Sequence, residues 1–217
     1  MLIDIEGTDG SGKKTQTELL KKALEENGKK VLLLSFPNHG HKSCTLVKMY
    51  LEGELGADES LDPYQVSTLY AADRMITMHQ NDIAKYDYVL FDRYTPSNMI
   101  HQSTKCKDED IDIFLDWVAD FEYNKMKLPV PDVTIFLDMP VEKSLELLSE
   151  RANTKHGGKD ILENEQHLRK AYARAKYVAN KFNWLHISCV ENGNIKSIEQ
   201  IHSEVMDVLN LNNLMEK

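Results

Sequence analysis

Short apolar runs alternate along this chain with longer segments in which apolar residues recur every three or four positions. The short runs predict strands at residues 2–6, 31–36, 88–92, 133–138 and 184–188. Most of them lack a clean two-residue alternation, which is typical of strands that are covered on both faces of a sheet. The longer segments predict helices over 13–27, 62–84, 108–124, 140–151, 160–182 and 195–210.

The order of these elements indicates an α/β fold. Strands separated by helices form parallel β-α-β units, so we predict a doubly wound sheet of about five parallel strands flanked by helices. The 217 residues suffice for one substantial core and show no repeat or clear linker, so we expect one domain over 1–217. The polar, glycine-bearing segment 152–160 lies between two predicted helices and is expected to be mobile.

Residues that favour helix ends mark two of these boundaries. Asp62 followed by Pro63 predicts an N-cap with proline at the first helical position. Gly28 follows the predicted helix 13–27 and is expected to end it.

Charge and cysteine content argue against several classes of protein. The formal net charge of -9 argues against broad, non-specific nucleic-acid binding, because such binding needs a basic face. Cys44, Cys106 and Cys189 form no C-x-x-C pair, so neither a zinc knuckle nor a disulfide framework is indicated. No apolar run reaches the ~18 residues of a membrane span, and the N-terminus lacks the apolar core of a signal peptide. We therefore expect a cytoplasmic protein with no membrane partner.

Residues 7–16, with the sequence GTDGSGKKTQ, lie between the first predicted strand and the first predicted helix. They nearly match the phosphate-binding pattern G-x-x-x-x-G-K-[ST], except that Lys14 occupies the hydroxyl position and Thr15 follows it. The glycines let the backbone curl with its N–H groups inward, and a helix starting near Lys13 adds the positive end of its dipole. The pattern predicts a loop that cradles nucleotide phosphates; a plain glycine-rich turn is the alternative.

Motifs spread over the chain resemble those of the thymidylate kinase family. In order they are GTDGSGKKTQ (7–16), FP (36–37), LYAADR (69–74), DRY (92–94), LPVPD (128–132) and a lid-like ERANTKHGGKDILENE (150–165). Nucleoside monophosphate kinases of this kind can place a non-hydroxyl residue after the loop lysine, followed by Thr-Gln. The resemblance implies a P-loop NTPase-type fold with a mobile lid at 152–160, a homodimer, and transfer of the γ-phosphate of MgATP to dTMP.

The resemblance also implies which residues bind the two nucleotides. The implied ATP-binding residues are Gly7, Thr8, Asp9, Gly10, Ser11, Gly12, Lys13, Lys14, Thr15 and Arg151. The implied dTMP-binding residues are Asp9, Phe36, Tyr70, Arg74, Arg93, Tyr94, Ser97, Asn98 and Gln102. Tyr70 is expected to stack on thymine and Arg74 to hydrogen-bond to it, since residues four apart share a helix face. Arg93 is expected to clamp phosphate, and Tyr94 to pack against the sugar.

The implied catalytic groups are mostly positive charges on the transferred phosphoryl group. They are Lys13, Arg93, Asp9 and one lysine of the lid, either Lys155 or Lys159. A lid lysine is expected because relatives use an arginine of the loop or the lid, and this loop has Gly10 at that position. Arg151 is expected to pack against adenine.

Magnesium is the implied cofactor, and only two residues are implied as its ligands. Thr15 is expected to contribute to the magnesium shell, directly or through water, and Asp92 acts either on that network or on Arg93. A further departure from relatives is Ser35, which stands where they carry an arginine before Phe-Pro. His39 and Lys42 are the candidates to replace it.

Two other classes of function stay open at this level. A deoxynucleoside kinase, or another nucleotide kinase of similar fold, also has a strand that ends in Asp-Arg, as at Asp92 and Arg93. A non-catalytic nucleotide-binding regulatory protein typically pairs its loop with a D-x-x-G element, and the sequence DMPV at 138–141 lacks that glycine. A panel of phosphate acceptors discriminates among the three.

Overall fold

The computed structural model describes residues 1–56, 60–154 and 161–211. Its strands are β1 (Leu2–Glu6), β2 (Val31–Ser35), β3 (Tyr88–Asp92), β4 (Val133–Asp138), β5 (Leu185–Ser188), β6 (Val190–Glu191) and β7 (Asn194–Ile195). Its α-helices are α1 (Lys13–Glu26), α2 (Thr45–Leu51), α3 (Pro63–Gln80), α4 (Thr95–Gln102), α5 (Ile111–Ala119), α6 (Val141–Thr154), α7 (Ile161–Lys181) and α8 (Ile198–Leu211). Within these ranges, no helix combines the length and the apolarity that crossing a membrane requires.

The strands β1 to β5 form one parallel sheet in the order β2-β3-β1-β4-β5, and helices flank it. The predicted α/β fold with five parallel strands is therefore confirmed. Because β1 is central, its last residues lie beside both neighbours, with Ile5 opposite Asp92 at the end of β3 and Glu6 opposite Phe136 of β4. Ligands of such sheets bind beyond the carboxyl ends of the strands, where the chain leaves β1, β2 and β3.

Alternate residues of β1 face the two sides of the sheet. Ile3 and Ile5 pack with Leu20 and Leu24 of α1 in a core that includes residues of α8. The intervening acidic residues, at positions 4 and 6, are fully buried on the opposite side. Polar positions in this strand therefore do not mark a solvent-exposed face.

The two buried acids of β1 differ in their hydrogen bonding. Neither carboxylate oxygen of Asp4 has a partner among the described residues. Burial, together with the charge of Glu6, raises the pKa of Asp4 well above its ordinary value, so the sheet favours its neutral form. Glu6 instead accepts hydrogen bonds from the backbone N–H of Tyr94 at 3.1 Å and from the hydroxyl of Ser97 at 2.7 Å. It thereby ties the end of β1 to α4.

Both predicted helix ends are confirmed. Asp62 Oδ1 accepts a hydrogen bond from the backbone N–H of Gln65 at 2.8 Å, and Gln65 Oε1 accepts one from the N–H of Asp62 at 3.0 Å. These reciprocal bonds cap α3, which ends at Gln80 rather than at residue 84. α1 ends at Glu26, and Gly28 lies just beyond it with a left-handed φ of 74°.

Two helices, α2 and α4, were not predicted from the sequence. α4 buries Asn98 and Gln102 together with Met99 and Ile100, so its buried face is partly polar and carries no clear apolar periodicity. The predicted helix 108–124 is also divided, since α5 ends at Ala119 and a π-helical segment, Asp120–Lys125, follows it.

Candidate active site

Gly7 and Gly12 are required in the loop between β1 and α1 for different reasons. A Cβ atom added to Gly7 would lie 2.5 Å from Ser11 Oγ and 2.9 Å from the carbonyl oxygen of Leu137, so this close approach leaves no room for a side chain. Gly12 precedes α1 in the left-handed conformation, with φ 88°, which other residues rarely adopt. These two constraints fix the curl of the loop at the carboxyl end of β1.

Lys13, the first residue of α1, turns its ammonium group back onto the loop. Its Nζ donates hydrogen bonds to the carbonyl oxygens of Gly7 at 2.8 Å and of Thr8 at 2.7 Å. Burial, reinforced by the positive charge of Arg93, lowers the pKa of Lys13 to about 7. Phosphate oxygens are stronger acceptors than neutral carbonyls, so a bound phosphate would compete for these donors and favour the charged lysine.

A cavity of about 190 Å³, the phosphate cavity, lies over this loop. It is lined by Asp9, Gly10, Gly12, Lys13, Lys14, Thr15, Asp92 and Arg93. The remaining predicted loop residues, Gly7, Thr8 and Ser11, are buried beneath it. The structure therefore brings together the loop, the start of α1 and the end of β3.

The phosphate cavity offers oxygen donors from two predicted metal residues, Thr15 and Asp92. Among the described residues, no group of three or more His, Cys, Asp or Glu side chains could hold a metal ion. This donor set fits Mg²⁺, which prefers oxygen and is usually held by one or two protein groups together with water and substrate phosphates.

A second cavity, the large cleft, adjoins the phosphate cavity and has a volume of about 710 Å³. Eight of the nine residues implied for dTMP line it, namely Asp9, Phe36, Tyr70, Arg74, Arg93, Ser97, Asn98 and Gln102. Pro37 of the Phe-Pro motif lines it as well, and further lining residues that the sequence did not single out for this role are Tyr50, Leu51, His101, Lys105 and His167. Most of these lie in α2, α4 and α7, whose positions around the cleft only the tertiary structure reveals.

Asp9 and Arg93 line both cavities and form the wall between them. Arg93 Nη2 donates a hydrogen bond to Asp9 Oδ1, although the two residues are 84 positions apart. Burial alone would raise the pKa of Asp9, but the positive charges of Arg93 and Lys13 outweigh this effect and lower the pKa to about 2. A charged pair thus lies where groups bound in the two cavities would meet.

The backbone at Arg93 determines which side chains reach the cleft. Arg93 has a φ of 70°, an uncommon conformation for a residue with a side chain, and such strain clusters at functional sites. It directs Arg93 towards the cavities, whereas Tyr94 has no exposed surface and stacks on Phe91 at 4.1 Å between ring centroids. The structure thus places the ring of Tyr94 in the core and not among the residues that line the large cleft, so its packing against the sugar stays a prediction without support from the cleft.

His101 of α4 occupies a cleft position that the sequence analysis did not identify. Its Nε2 lies 2.9 Å from Arg93 Nη1. Burial, assisted by the charge of Arg93, lowers the pKa of His101 to about 3, so Nε2 accepts this hydrogen bond in the neutral ring. The ring of His167 from α7 lies parallel to it, with centroids 6.1 Å apart. Asp9 and His101 together hold the guanidinium of Arg93 at two nitrogens.

Tyr70 and Arg74 lie one turn apart on α3, as the spacing predicts, and both line the large cleft. The ring of Tyr70 packs edge-on against Tyr50, with centroids 6.5 Å apart. Arg74 is nearly fully buried, and its Nε and Nη2 each donate to Glu122 at 2.7 Å. Glu122 carries no sequence signal, because it lies 48 residues away in an irregular helix.

Phe36 and the segment that follows it form another wall of the cleft. Phe36 is nearly buried against Phe91 and Tyr94. Asp73 of α3 anchors the next residues, since its carboxylate accepts hydrogen bonds from the backbone N–H of Asn38 at 2.7 Å and from the hydroxyl of Ser43. This buried acid therefore sets the path of the chain between β2 and α2.

The position of the missing arginine can be compared with its two candidate substitutes. Ser35 is the exposed last residue of β2. His39 lines the large cleft, whereas Lys42 is exposed and does not line it. Of the two substitutes, the structure therefore favours His39.

The residues implied for the lid fall largely outside this description. Lys155 and Lys159 lie outside the described residues, and so does the side chain of Arg151, whose backbone is part of α6. Their roles stay predictions.

The fold and the two adjoining cavities define a class of protein. A glycine-rich loop that ends in a buried lysine, at the carboxyl end of the central strand of a parallel sheet, is the phosphate-binding device of P-loop nucleotide-binding proteins. A second cleft that shares Asp9 and Arg93 with the phosphate cavity suits an acceptor that meets the nucleotide end to end. This combination is that of a P-loop phosphotransferase.

Comparisons with known proteins specify the class further. The thymidylate kinase family model matches residues 5–205. A thymidylate kinase of Mycobacterium tuberculosis (strain CDC 1551 / Oshkosh) is 33% identical over 174 residues, covering 78% of this chain and 81% of that protein. A probable thymidylate kinase of Thermococcus gammatolerans is 28% identical, covering 96% of this chain and 95% of that protein. The solved structure of thymidylate kinase from Candida albicans matches with a TM-score of 0.71 at 22% identity, covering 99% of this chain and 92% of that chain.

The chain belongs to the thymidylate kinase family. The family model spans most of its length, and the Mycobacterium tuberculosis relative covers more than two thirds of it. The structural match supports the fold alone. The resemblance read from the sequence motifs is thereby confirmed.

Proposed function

We propose that this protein transfers the γ-phosphate of MgATP to dTMP, giving ADP and dTDP. Membership of the thymidylate kinase family supports this reaction. The geometry that carries the proposal is the wall of Asp9 and Arg93 between the two cavities, because an in-line transfer needs donor and acceptor phosphates to meet at one charged point. ATP phosphates occupy the phosphate cavity, and dTMP occupies the large cleft.

Catalysis in this arrangement rests on positioning and charge stabilisation. The acceptor phosphate oxygen is already nucleophilic at neutral pH, so the reaction needs no covalent enzyme intermediate. Lys13 and Arg93 share the negative charge of the transferred group, and Arg93 is pre-organised because Asp9 and His101 hold two of its nitrogens. Asp9 accepts a hydrogen bond from the acceptor sugar in this proposal, and its support is that Asp9 lines the large cleft.

Thr15 and Asp92 are the residues that would hold Mg²⁺, either directly or through water. Their support is the oxygen donor set at the phosphate cavity. The ion would neutralise phosphate charge and help to orient the phosphates of ATP.

The lid is proposed to complete the charge on the transferred group, with Lys155 or Lys159 in place of an arginine and Arg151 against adenine. The support is the resemblance together with the glycine at position 10, where the loop offers no cation. Alanine at each lysine should lower kcat for one of the two variants. Unchanged turnover in both would contradict this part of the proposal.

A panel of acceptors tests the proposed reaction. Turnover of MgATP is measured with dTMP, dUMP, UMP, AMP and thymidine, and with Lys13→Met as the catalytic control. We expect dTMP to give the highest kcat/KM. Preference for thymidine would indicate a deoxynucleoside kinase, and nucleotide binding with no transfer to any monophosphate would indicate a regulatory protein.

We also propose a homodimer, for which the family resemblance is the main support. Leu46 and Leu51 of α2 and Met75 of α3 are large apolar side chains that this chain leaves exposed. Light scattering after size-exclusion chromatography measures the mass directly, and a monomer of 24.9 kDa would contradict the proposal. A cytoplasmic location stays a prediction from the sequence.

A further inference from the structure

A buried carboxylate, Glu122, lies beneath the floor of the large cleft. It has no exposed surface and belongs to the π-helical segment Asp120–Lys125. Its two oxygens accept four hydrogen bonds from three residues: from Arg74 Nε and Nη2 at 2.7 Å each, from Thr95 Oγ1 at 2.8 Å, and from Asn98 Nδ2 at 2.7 Å. Arg74 and Asn98 both line the cleft, so one hidden group holds two of its polar side chains.

Glu122 leaves Arg74 with one nitrogen for a ligand. The guanidinium is planar and rigid, so engaging Nε and Nη2 on one edge fixes the direction of Nη1. Within the described part of the chain, Nη1 has no hydrogen-bond acceptor. It is also not fully enclosed by protein atoms, so a ligand in the cleft can reach it. Arg74 therefore offers the cleft a hydrogen-bond donor and no acceptor.

Glu122 has the opposite effect on Asn98. The amide nitrogen of Asn98 donates to Glu122 and, at 3.1 Å, to the backbone carbonyl oxygen of Ser67. Both partners can only accept, so the nitrogen must face them, and a flip of the amide would place its oxygen against two acceptors. Asn98 Oδ1 is thereby left to face the cleft as a hydrogen-bond acceptor.

We propose that Glu122 is a positioning residue that sets the base specificity of the large cleft, by fixing Arg74 as a donor beside Asn98 as an acceptor. This inference rests on the proposed function. A pyrimidine with a 4-carbonyl and an N3–H, as in thymine and uracil, matches this pair. Cytosine presents a 4-amino group to the donor and an N3 lone pair to the acceptor, so both contacts are mismatched. Unpaired polar groups in an enclosed site are costly, which makes the discrimination strong.

The substitution Glu122→Gln tests this assignment while keeping the shape of the side chain. An amide in place of the carboxylate sets its own NH₂ against a donor of Arg74, Thr95 or Asn98, so the fixed polarity is lost. We expect the ratio of kcat/KM for dTMP to kcat/KM for dCMP to fall about tenfold or more, chiefly through KM. The KM for ATP should change by less than about twofold. A purely structural role would lower both kcat/KM values equally and leave the ratio unchanged.

Two matched variants separate the polarity from general loosening. Asp120→Asn neutralises an exposed carboxylate of the same segment and should leave the ratio unchanged. Thr95→Val removes one hydrogen bond to Glu122 but leaves Arg74 and Asn98 paired with it, so the ratio should also be kept. An unchanged ratio in a folded Glu122→Gln protein, with melting checked by circular dichroism, overturns the assignment.

If Glu122→Gln does not fold, acceptor analogues on the unmodified protein keep the inference falsifiable, because they test the polarity that Glu122 is proposed to fix. We expect dUMP to be accepted, and dCMP and N3-methyl-dTMP to be disfavoured by about a hundredfold in kcat/KM relative to dTMP. Equal use of dCMP and dTMP would overturn the inference and leave the proposed reaction intact. No turnover of dTMP by the unmodified protein would instead overturn the proposed function, and this inference with it.

Discussion

The phosphate cavity and the large cleft meet at Asp9 and Arg93, yet they are assembled differently. Six of the eight residues that line the phosphate cavity come from one stretch, 9–15, and the other two end β3 and follow it. The large cleft draws its walls from the loop, the segment after β2, and helices α2, α3, α4 and α7. One site is almost contiguous in the chain, whereas the other exists only when distant segments pack together.

The two sites also hold their side chains by different means. In the loop, glycine conformation and backbone carbonyls hold Lys13 in place. In the cleft, buried acids from other elements do so: Glu122 holds Arg74 and Asn98, Glu6 holds Ser97, and Asp73 holds the segment after Phe36. A backbone cradle tolerates changes far away, whereas the cleft depends on partners that never touch a ligand. The following predictions test this contrast.

Lys13→Met should give the largest loss, because it removes the charge at the centre of the phosphate cavity. We expect kcat/KM for ATP to fall by about a thousandfold. Equilibrium binding of dTMP should change by less than about threefold, since the large cleft is built separately. The measurements are steady-state kinetics and calorimetry, and Lys22→Met, an exposed lysine of α1, is the control. Equal loss of ATP and dTMP binding would contradict the separation of the two sites.

Arg74→Met should destabilise the fold as well as impair the cleft. It leaves the carboxylate of Glu122 buried without its charged partner, so we expect the free energy of unfolding to fall by about 3 kcal/mol. Chemical denaturation measures this quantity. Arg169→Met, which breaks ion pairs that are exposed to solvent, should leave it nearly unchanged. If the two variants had equal free energies of unfolding, burial of the Glu122 carboxylate would not require the charge of Arg74.

Arg93→Lys should impair both sites at once, because Arg93 lines both cavities. Lysine keeps the charge but cannot pair with Asp9 and His101 through a planar fork, so we expect kcat to fall about a hundredfold. Single-turnover kinetics distinguish a slow chemical step from slow product release. If the substitution impaired the use of only one of the two substrates, Arg93 would not serve both sites.

Tyr70→Ala should weaken the large cleft alone. Loss of base stacking should raise KM for dTMP by about tenfold to a hundredfold, with KM for ATP unchanged. Tyr70→Phe keeps the ring and serves as the matched control, so it should retain the KM of the unmodified protein. If the two variants behave alike, the ring of Tyr70 does not stack on the base.

The smallest effect of the series is expected in the pH dependence of kcat/KM for ATP, which should follow the charge of Lys13. The pKa of Lys13 is lowered to about 7, and only the charged lysine attracts phosphate, so charge is lost as the pH rises. We expect kcat/KM for ATP to be flat below a pH of about 7 and to fall by about tenfold per pH unit above it. Lys13→Arg stays charged and should abolish this basic limb. The limb should lie at higher pH in kcat, because bound phosphates stabilise the charged lysine.

The sequence alone predicted the structural features that depend on residues close together in the chain. The five strands of the main sheet, the cap at Asp62 and the glycine stop just beyond α1 all follow from local periodicity or from backbone preference. The phosphate-binding loop was also readable, because its glycines and lysine act within one turn of chain. The family motifs added Tyr70 and Arg93, which local patterns would have left as ordinary core and surface residues.

The tertiary structure decided which polar side chains face the cleft and what holds them there. Tyr94 follows Arg93 in the sequence but points into the core, because the left-handed backbone at Arg93 redirects the chain. Glu122 lacks a local signal, because its partner Arg74 lies 48 residues away in the sequence. His101 lies only eight residues after Arg93, but no periodicity in the sequence marks the contact between them. Hydrogen-bond direction and burial are properties of packed neighbours. The order of residues therefore determined the scaffold and the loop, whereas only packing determined the polarity of the cleft.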